Sequence, residues 1–279
     1  MKTKSTMQGF TIFVVLFTLT IDVIAVTSTK KGVAMSPKRT FCDDLKPFDN
    51  VKWWYDWRLT DDWLVKECGS DYNPHGIERV PMQWGALKGP IKNFPKDAKY
   101  FLGFNEPNHI AEANILPKDA ARMWRDYIQD AVPGDVKLVS PSAAPCGKCN
   151  MSPTKWFDEF FDECGRDCRV EYLATHIYSC NADQTMAYLE GLWQRYKKEI
   201  WVTEFACPYA KSTDIALEYM AKILPMLEDA KYIFRYSWYV NRLWVDGFIT
   251  RADALENGDF SFLRRTGQYY NDYNPPKPF

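Results

Sequence analysis

A short apolar segment recurs eight times along the chain, and this repetition constrains the fold more than any other feature. Each segment has the length of a strand, is rich in β-branched or aromatic residues, and ends in polar or aromatic residues. Near-continuous apolarity of this kind is typical of parallel strands that are buried on both faces of a sheet. The eight segments are 31–36, 51–57, 77–85, 100–106, 136–143, 170–179, 199–206 and 232–240.

Segments with helical periodicity lie between several of these strands, at 116–129, 183–197 and 212–228. The early connections are shorter and less regular, so we expect abbreviated helices or loops there. Strand alternating with helix predicts an α/β fold, namely a compact (β/α)8 TIM barrel, although an open doubly wound sheet has the same local pattern. The length of 279 residues fits one barrel, an architecture that commonly needs about 250 residues.

The first residues have the layout of a secretory signal peptide. Lys2 and Lys4 precede an apolar run over 10–26, and a polar stretch begins at Thr27. The alternative is an uncleaved membrane anchor, but the run is short for a membrane span. We expect residues 1–27 to be removed and residues 28–279 to form a single secreted domain without membrane attachment.

Eight cysteines follow this segment, and an even number in a secreted chain indicates a disulfide framework. Cys42 and Cys68 follow the first and second predicted strands, whereas Cys180 and Cys207 lie just beyond the sixth and seventh. The loops after neighbouring strands can meet, so we predict the disulfides Cys42–Cys68 and Cys180–Cys207.

The other four cysteines form a Cys-x2-Cys and a Cys-x3-Cys pair, and both local and crossed pairing are open to them. Their spacing also occurs in zinc sites, but an oxidising compartment favours disulfides. We therefore predict no metal ion, and no cofactor. The four residues are Cys146, Cys149, Cys164 and Cys168.

Charge and aromatic content narrow the class of partner. Lys and Arg number 35 against 36 Asp and Glu, and no block of like charges could form a phosphate-binding stripe. We therefore expect no nucleic-acid partner. Aromatic residues make up 16% of the chain, which exceeds what a core of this size needs. Some of these rings should be exposed in a cleft, where sugars can stack on them.

Two glutamates stand at the predicted carboxyl ends of buried strands. The strand over 100–106 ends in Glu106 and is stopped by Pro107, because proline cannot donate to a sheet ladder. Glu204 lies near the end of the seventh strand. In a barrel this end of the strands faces the active site. Strands four and seven lie nearly opposite each other around the mouth, so both carboxylates should face one cleft.

Two carboxyl groups across a cleft are what glycoside hydrolysis needs. One protonates the leaving oxygen, and the other attacks the anomeric carbon or activates water. The alternative is that each glutamate is a structural carboxylate satisfied by its neighbours. A buried carboxylate is costly unless it is paired, and the presence of two at strand ends favours the catalytic interpretation.

The residues around these glutamates resemble glycoside hydrolase family 128, a group of β-1,3-glucanases with a compact barrel that belongs to a clan of retaining enzymes. The resemblance extends from about residue 32 to the end of the chain. Its motifs are Gly-Phe-Asn-Glu-Pro-Asn at 103–108, Thr-His-Ile-Tyr at 175–178, Trp-Val-Thr-Glu-Phe at 201–205, and the stretch 255–270.

The resemblance implies a role for each matching residue. Glu106 would be the general acid/base and Glu204 the nucleophile. Asn105 would hydrogen-bond the 2-hydroxyl of the attacked sugar, an interaction that strengthens as the oxocarbenium-like state forms. Tyr178, near the end of strand six, would orient Glu204, and His176 lies two residues earlier on the same strand face.

Other residues at strand ends are candidates for contact with sugar. The resemblance places an aromatic residue at the end of strand eight, as the floor of the subsite for the attacked sugar, and this selects Trp238. Each strand end carries a cluster of candidates, from which we expect one or two contacts, with Trp54 and Trp84 selected after Trp238. The clusters are Trp54, Tyr55 and Trp57 after strand two, Gln83 and Trp84 at the end of strand three, and Trp238 and Tyr239 at the end of strand eight. Because side chains alternate between the two faces of a strand, only some of these clusters can face the barrel axis.

The sequence thus predicts a secreted, monomeric, retaining glycoside hydrolase that cleaves β-1,3-glucan, acting within the chain. One alternative is a non-catalytic β-glucan-binding or wall-associated protein on the same barrel. Another is a hydrolase of a different β-linked polysaccharide, since only the resemblance favours the β-1,3 linkage.

Overall fold

A computed structural model describes residues 27–36 and 40–275. The predicted signal peptide lies outside the described residues, apart from Thr27 at its end. Among the described residues, no helix combines the length and apolarity that a membrane crossing requires.

Eight short strands form the centre of the molecule, and each lies inside one of the eight predicted segments. Burial on both faces accounts for the apolarity of most of them, whereas β3 consists of two half-buried charged residues. The strands are Lys31–Ala34 (β1), Trp53–Tyr55 (β2), Glu78–Arg79 (β3), Tyr100–Leu102 (β4), Lys137–Val139 (β5), Leu173–Tyr178 (β6), Ile200–Ala206 (β7) and Ile233–Trp238 (β8).

The strands follow one another around a ring in chain order. Six form a parallel sheet in the order β3-β2-β1-β8-β7-β6, and β4 pairs with β5. Isolated parallel bridges join Met82 to Leu102 and Val139 to Tyr172, and so span the two gaps between these sheets. β1 pairs directly with β8. An open doubly wound sheet has no such first-to-last pairing, and the predicted (β/α)8 architecture is confirmed.

Helices cover the ring from outside, and they are short or missing early in the chain, as predicted. Residues 80–99, between β3 and β4, hold no helix. The segment after β4 begins as an α-helix and continues as a π-helix over Trp124–Gln129. The helices are Asp62–Cys68 (α1), Pro117–Met123 (α2), Pro153–Cys164 (α3), Ala182–Tyr196 (α4), Thr213–Asp229 (α5) and Arg265–Asp272 (α6).

The hydrophobic residues separate into two layers according to which face of a strand they occupy. Trp53, Tyr55 and Trp201 belong to the cluster inside the ring. Trp54 and Trp238 belong to the larger cluster between the strands and the helices. Successive side chains of a strand point to opposite faces, so neighbouring aromatic residues enter different layers.

This alternation overturns two predicted sugar contacts, because Trp54 and Trp238 are wholly buried in the outer layer. The Trp54 ring packs edge-on against Tyr72. The Trp238 ring packs against Phe205, and its indole N–H donates to the carbonyl oxygen of Asp253 over 2.7 Å. The prediction that these two rings contact substrate is wrong, since both strands present the opposite face to the cleft.

All eight cysteines are paired. The two predicted disulfides, Cys42–Cys68 and Cys180–Cys207, are present. The four cysteines that the sequence left open pair locally, as Cys146–Cys149 and Cys164–Cys168. No cysteine thiolate is therefore available to bind zinc.

Packing of the last helix against the barrel supplies a stability prediction. A Cβ added at Gly267 in α6 would lie 2.0 Å from the carbonyl oxygen of Leu255. We expect Gly267→Ala to lower the free energy of unfolding by about 1–3 kcal/mol, the usual cost of overpacking. Gly191 in α4 has nothing within 4 Å of such a Cβ. There the better helix propensity of alanine should raise stability by up to about 1 kcal/mol. Urea unfolding of both variants tests this contrast, and a stable Gly267→Ala protein would contradict it.

Candidate active site

Glu106 lies four residues beyond the end of β4, where the chain leaves the barrel. Its backbone is left-handed, with φ of 39°, a conformation uncommon for any residue but glycine. The next residues turn back at once, because the amide of His109 donates to the carbonyl oxygen of Glu106 over 2.9 Å. The carboxylate is thereby presented at the mouth of the barrel, where it lines a cleft.

Glu204 lies within β7 and is almost wholly buried, with 4% of the residue exposed. Three donors reach its carboxylate. The indole N–H of Trp57 and the hydroxyl of Tyr55 donate to Oε1 over 2.9 and 3.2 Å. The hydroxyl of Tyr178 donates to Oε2. Hydrogen bonds to both oxygens fix the carboxylate and favour its ionised form.

His176 lies between the two glutamates. Its Nδ1 atom is 2.8 Å from Oε1 of Glu106 and 3.4 Å from Oε2 of Glu204. One oxygen of each carboxylate lies within 4.8 Å of an oxygen of the other. Retaining glycosidases hold their two carboxyl groups about 5–5.5 Å apart, whereas inverting enzymes need about 6.5–9.5 Å to admit water. The facing oxygens of Glu106 and Glu204 are thus closer together than the range given for inverting enzymes.

The pKa values of Glu204 and His176 are both raised by their surroundings. Burial raises the pKa of Glu204 above its ordinary value, and Glu106 adds to this, while the charge of His176 and the hydrogen bonds of Tyr178 and Trp57 oppose it. Burial on its own would lower the pKa of His176, but the carboxylates of Glu204 and Glu106 outweigh burial and raise it. A protonated His176 therefore offsets part of the repulsion between the two carboxylates.

The same three side chains are the groups in the described chain that could hold a metal ion. However, both oxygens of Glu204 already accept hydrogen bonds from Tyr and Trp donors. A metal-free site remains the prediction.

A cleft of about 970 Å³ opens above the two glutamates. Trp84 lies on its wall with 40% of the residue exposed, and Tyr209 and Phe248 are exposed on its rim. The ring of Phe248 meets those of Tyr178 and Tyr209 edge to face, at 5.2 and 5.3 Å. Aromatic side chains thus extend from the Glu204 pocket to the rim.

Gln83 is not part of this cleft. Its amide donates to the carbonyl oxygen of Gly85 over 2.8 Å, within its own loop, and the residue is absent from the cleft lining. The predicted contact of Gln83 with sugar is wrong, because its side-chain amide is held by its own loop and the residue does not line the cleft.

Glu112 contributes to the site and was not selected from the sequence, and Tyr55 and Trp57 were candidates that were ranked below Trp54. Side chains alternate between the two faces of a strand, so Tyr55 and Trp57 share the face of Trp53, which lies inside the barrel. Taking every second residue from Trp53 would therefore have selected both. Glu112 lines the cleft from a loop that carries no periodic signal. Its carboxylate accepts a hydrogen bond from the amide of Asn105 over 3.1 Å.

A left-handed backbone recurs around the cleft. Besides Glu106, Trp57 and Tyr209 have φ of 61° and 55°, and all three line the cleft. Such outliers cluster at functional sites, where the surrounding structure holds them in place.

A ring of parallel strands with two facing glutamates at its carboxyl end is the arrangement of a glycoside hydrolase. Residues 32–270 match the family model described as "Glycosyl hydrolase catalytic core". No curated protein gives a match.

Solved structures identify the family. The chain is 31% identical to a subgroup II endo-β-1,3-glucanase of glycoside hydrolase family 128 from Sorangium cellulosum, with a TM-score of 0.76 over 88% of this chain and 99% of that one. A second subgroup II enzyme, from Pseudomonas viridiflava, is 28% identical, with a TM-score of 0.74 over 89% and 99%. A subgroup I enzyme from Amycolatopsis mediterranei, in complex with laminaritriose and laminaribiose, has the same fold at 22% identity and a TM-score of 0.68 over 88% and 99%. The chain belongs to glycoside hydrolase family 128, a family of β-1,3-glucanases.

The hydrogen bond from Trp57 to Glu204 leads to a prediction about pH dependence. Trp57→Phe removes a donor to the ionised carboxylate, so the pKa of Glu204 should rise further. A group that reacts as a carboxylate loses activity as the pH falls through its pKa. The acid limb of the kcat/KM profile should therefore move to higher pH. Trp84→Phe is the matched control, because Trp84 makes no hydrogen bond to Glu204, and it should leave the limb in place. An unshifted acid limb in Trp57→Phe would contradict the expectation that Glu204 reacts as a carboxylate.

Proposed function

We propose that the protein is a secreted endo-β-1,3-glucanase that retains anomeric configuration, with Glu106 as general acid/base and Glu204 as nucleophile. The observation that carries the proposal is the spacing of the two carboxylates, whose nearest oxygens lie within 4.8 Å. This gap is too short to hold the water molecule of an inverting enzyme beside a sugar.

The surroundings of the two glutamates support this division of roles. Glu204 accepts three hydrogen bonds from side-chain donors, which favour the anion that a nucleophile requires. Glu106 has one side-chain partner, His176, and is more exposed. In the first step Glu204 would attack the anomeric carbon while Glu106 gives its proton to the departing sugar oxygen. In the second, Glu106 would take a proton from water as water displaces Glu204.

Further roles follow from position. Tyr178 would orient Glu204 through its hydroxyl, and His176 would hold Glu106 and Glu204 in a common arrangement. Asn105 would hydrogen-bond the 2-hydroxyl of the attacked sugar. Trp84, exposed on the cleft wall, would stack against a neighbouring sugar.

Endo action and secretion are inferred from two other features. The cleft is bordered by exposed rings on separate loops, and the two subgroup II relatives above are endo-acting enzymes. All eight cysteines are in disulfides, which persist in oxidising compartments. We propose a monomer that needs no cofactor and binds β-glucan chains as substrate.

The decisive experiment follows the first products of laminarin hydrolysis by proton NMR. Retention predicts that the β-anomer of the new reducing end appears first and mutarotates later, whereas initial α-anomer would refute the mechanism. Chromatography of early products should give a range of oligosaccharides for endo action, and a single short product would refute it. A panel with β-1,4-linked glucan and mannan should yield no comparable rate.

The non-catalytic alternative predicts binding of β-glucan without hydrolysis. A β-glucan-binding protein would be slowed by laminarin in affinity gel electrophoresis and would release no reducing ends from laminarin at any pH. Glu106, Glu204 and Asn105 are all present and adjacent, and this favours catalysis over binding alone.

A further inference from the structure

The side chain of Asn105 is buried, yet it makes a single hydrogen bond to the described part of the protein. The residue is 4% exposed, and its Oδ1 atom is buried without a hydrogen-bond partner. Its Nδ2 atom donates to Oε2 of Glu112 over 3.1 Å. The backbone of Asn105 is satisfied elsewhere, since its amide donates to Trp84 and its carbonyl accepts from Ala113. Among residues 27–36 and 40–275, Glu112 is therefore the one side chain that hydrogen-bonds this amide and can fix its orientation.

The loop after β4 is folded so that Glu112 reaches Asn105. The amide of His109 donates to Glu106, and that of Glu112 donates to His109 over 3.2 Å. The amide of Ala113 then returns to the carbonyl of Asn105 over 3.2 Å. The loop thus closes on the residue from which it started, with the Glu112 carboxylate on the cleft side.

Placing a third acid here is unfavourable in itself. Glu112 is partly buried, and its pKa is raised by burial and then by the charges of Glu106 and Glu204. A residue chosen for stability alone would not add another carboxylate beside two others. Within the described part of the chain, the carboxylate of Glu112 accepts its side-chain hydrogen bond from Asn105, which connects its presence with that residue.

We propose that Glu112 is a positioning residue that fixes the amide of Asn105 for the 2-hydroxyl of the attacked sugar. The inference rests on the proposed function and adds a residue to it. The χ2 torsion of asparagine is broad and roughly two-fold, so an amide can present either its oxygen or its nitrogen. An ionised carboxylate only accepts hydrogen bonds. Glu112 therefore selects the amide orientation in which the nitrogen faces it.

The consequence is kinetic. Hydrogen bonds to the 2-hydroxyl strengthen in the transition state of glycoside hydrolysis. An interaction realised only in the transition state appears in kcat, whereas one shared with the bound substrate appears in KM. Loss of Glu112 should therefore lower kcat with little change in KM.

Two aryl β-laminaribioside substrates test the proposal, one with the 2-hydroxyl on the attacked sugar and one that is 2-deoxy there. On the first, Glu112→Ala should lower kcat about ten-fold or more, with KM within about two-fold. On the 2-deoxy substrate the same variant should match the parent enzyme, because no hydroxyl remains for Asn105 to bind. Glu112→Gln, whose carbonyl can still accept from Asn105, should recover part of the lost rate.

Non-additivity supplies a second readout. The double variant Asn105→Ala/Glu112→Ala should be no slower than Asn105→Ala alone, because Glu112 acts through Asn105. Glu190→Ala, which removes an exposed glutamate on α4, is the control and should keep the parent rates. An unaltered kcat in Glu112→Ala, or an equal loss on both substrates, would overturn the proposal. Failure of the proposed function would look different, because the parent enzyme itself would be inactive or would invert.

Discussion

Glu204→Gln should lower kcat for laminarin about 10⁴-fold or more, the scale of loss when a covalent nucleophile is removed. The amide of glutamine has almost the shape of the carboxylate. Its oxygen can still accept from the indole of Trp57, and its NH2 group can donate to the hydroxyl oxygen of Tyr178 in place of the bond that Tyr178 gave to the second carboxylate oxygen. It cannot replace the carboxylate as nucleophile at the anomeric carbon, because a neutral amide oxygen is a much weaker electron-pair donor than an ionised carboxylate. The fold should therefore persist while the chemistry stops. A reducing-sugar assay, with circular dichroism to check folding, measures both.

The control for this variant is Glu199→Gln, which removes an exposed carboxylate just before the amino end of the same strand. It should keep the parent rate. A sharper test uses Glu204→Ala with sodium azide. Azide can occupy the emptied space and attack from the side that Glu204 used, giving an α-glycosyl azide from an activated aryl glycoside. Near-parental activity in Glu204→Gln, or no azide product at all, would contradict the assignment.

Glu106→Ala should lower kcat/KM for laminarin by about 10²–10⁴, the range that general acid catalysis contributes. The size of the loss should depend on the leaving group. A glucosyl oxygen needs a proton to depart, whereas a nitrophenolate departs without one. On an activated aryl glucoside the first step should therefore remain fast, and the second step, which needs Glu106 as base, should become limiting.

Pre-steady-state measurement separates these two steps. Glu106→Ala should show a burst of nitrophenolate followed by slow turnover, together with a lowered KM as the glycosyl-enzyme accumulates. Asp97→Asn, an exposed acid just before β4, is the control and should behave like the parent. Equal losses on laminarin and on the activated substrate would mean that Glu106 is not the acid.

The ring of strands was predictable because its physical signal is strong and local. A strand buried on both faces must be apolar at nearly every position, and all eight such segments contain an observed strand. Glu106 and Glu204 were visible because a carboxylate interrupts such a segment at high cost. Helix α3 was missed, although Ser152 accepts from the amide of Lys155 as an N-cap and Pro153 begins the helix, which is a readable start signal.

The direction of individual side chains was not predictable to the same degree. A segment that is apolar on both faces does not reveal which set of alternate residues faces the axis. Trp54 was therefore preferred, although Tyr55 and Trp57 are the residues that hydrogen-bond Glu204. The same ambiguity affected Trp238, which lies in the outer layer. Glu112 depends on how the loop after β4 folds, and a loop of this kind has no periodicity from which its course could be inferred.

The left-handed residues at the mouth of the barrel have a consequence for engineering. Each such conformation costs of order 1–3 kcal/mol, and Trp57, Glu106 and Tyr209 all adopt it. Glycine would relieve that cost at any of the three positions, but it would remove the indole, the carboxyl or the ring on which the cleft depends. A more heat-resistant form of this hydrolase should therefore be sought through substitutions in its helices and at the end of the barrel opposite the cleft, because thermal tolerance and turnover place opposite demands on these three backbone positions.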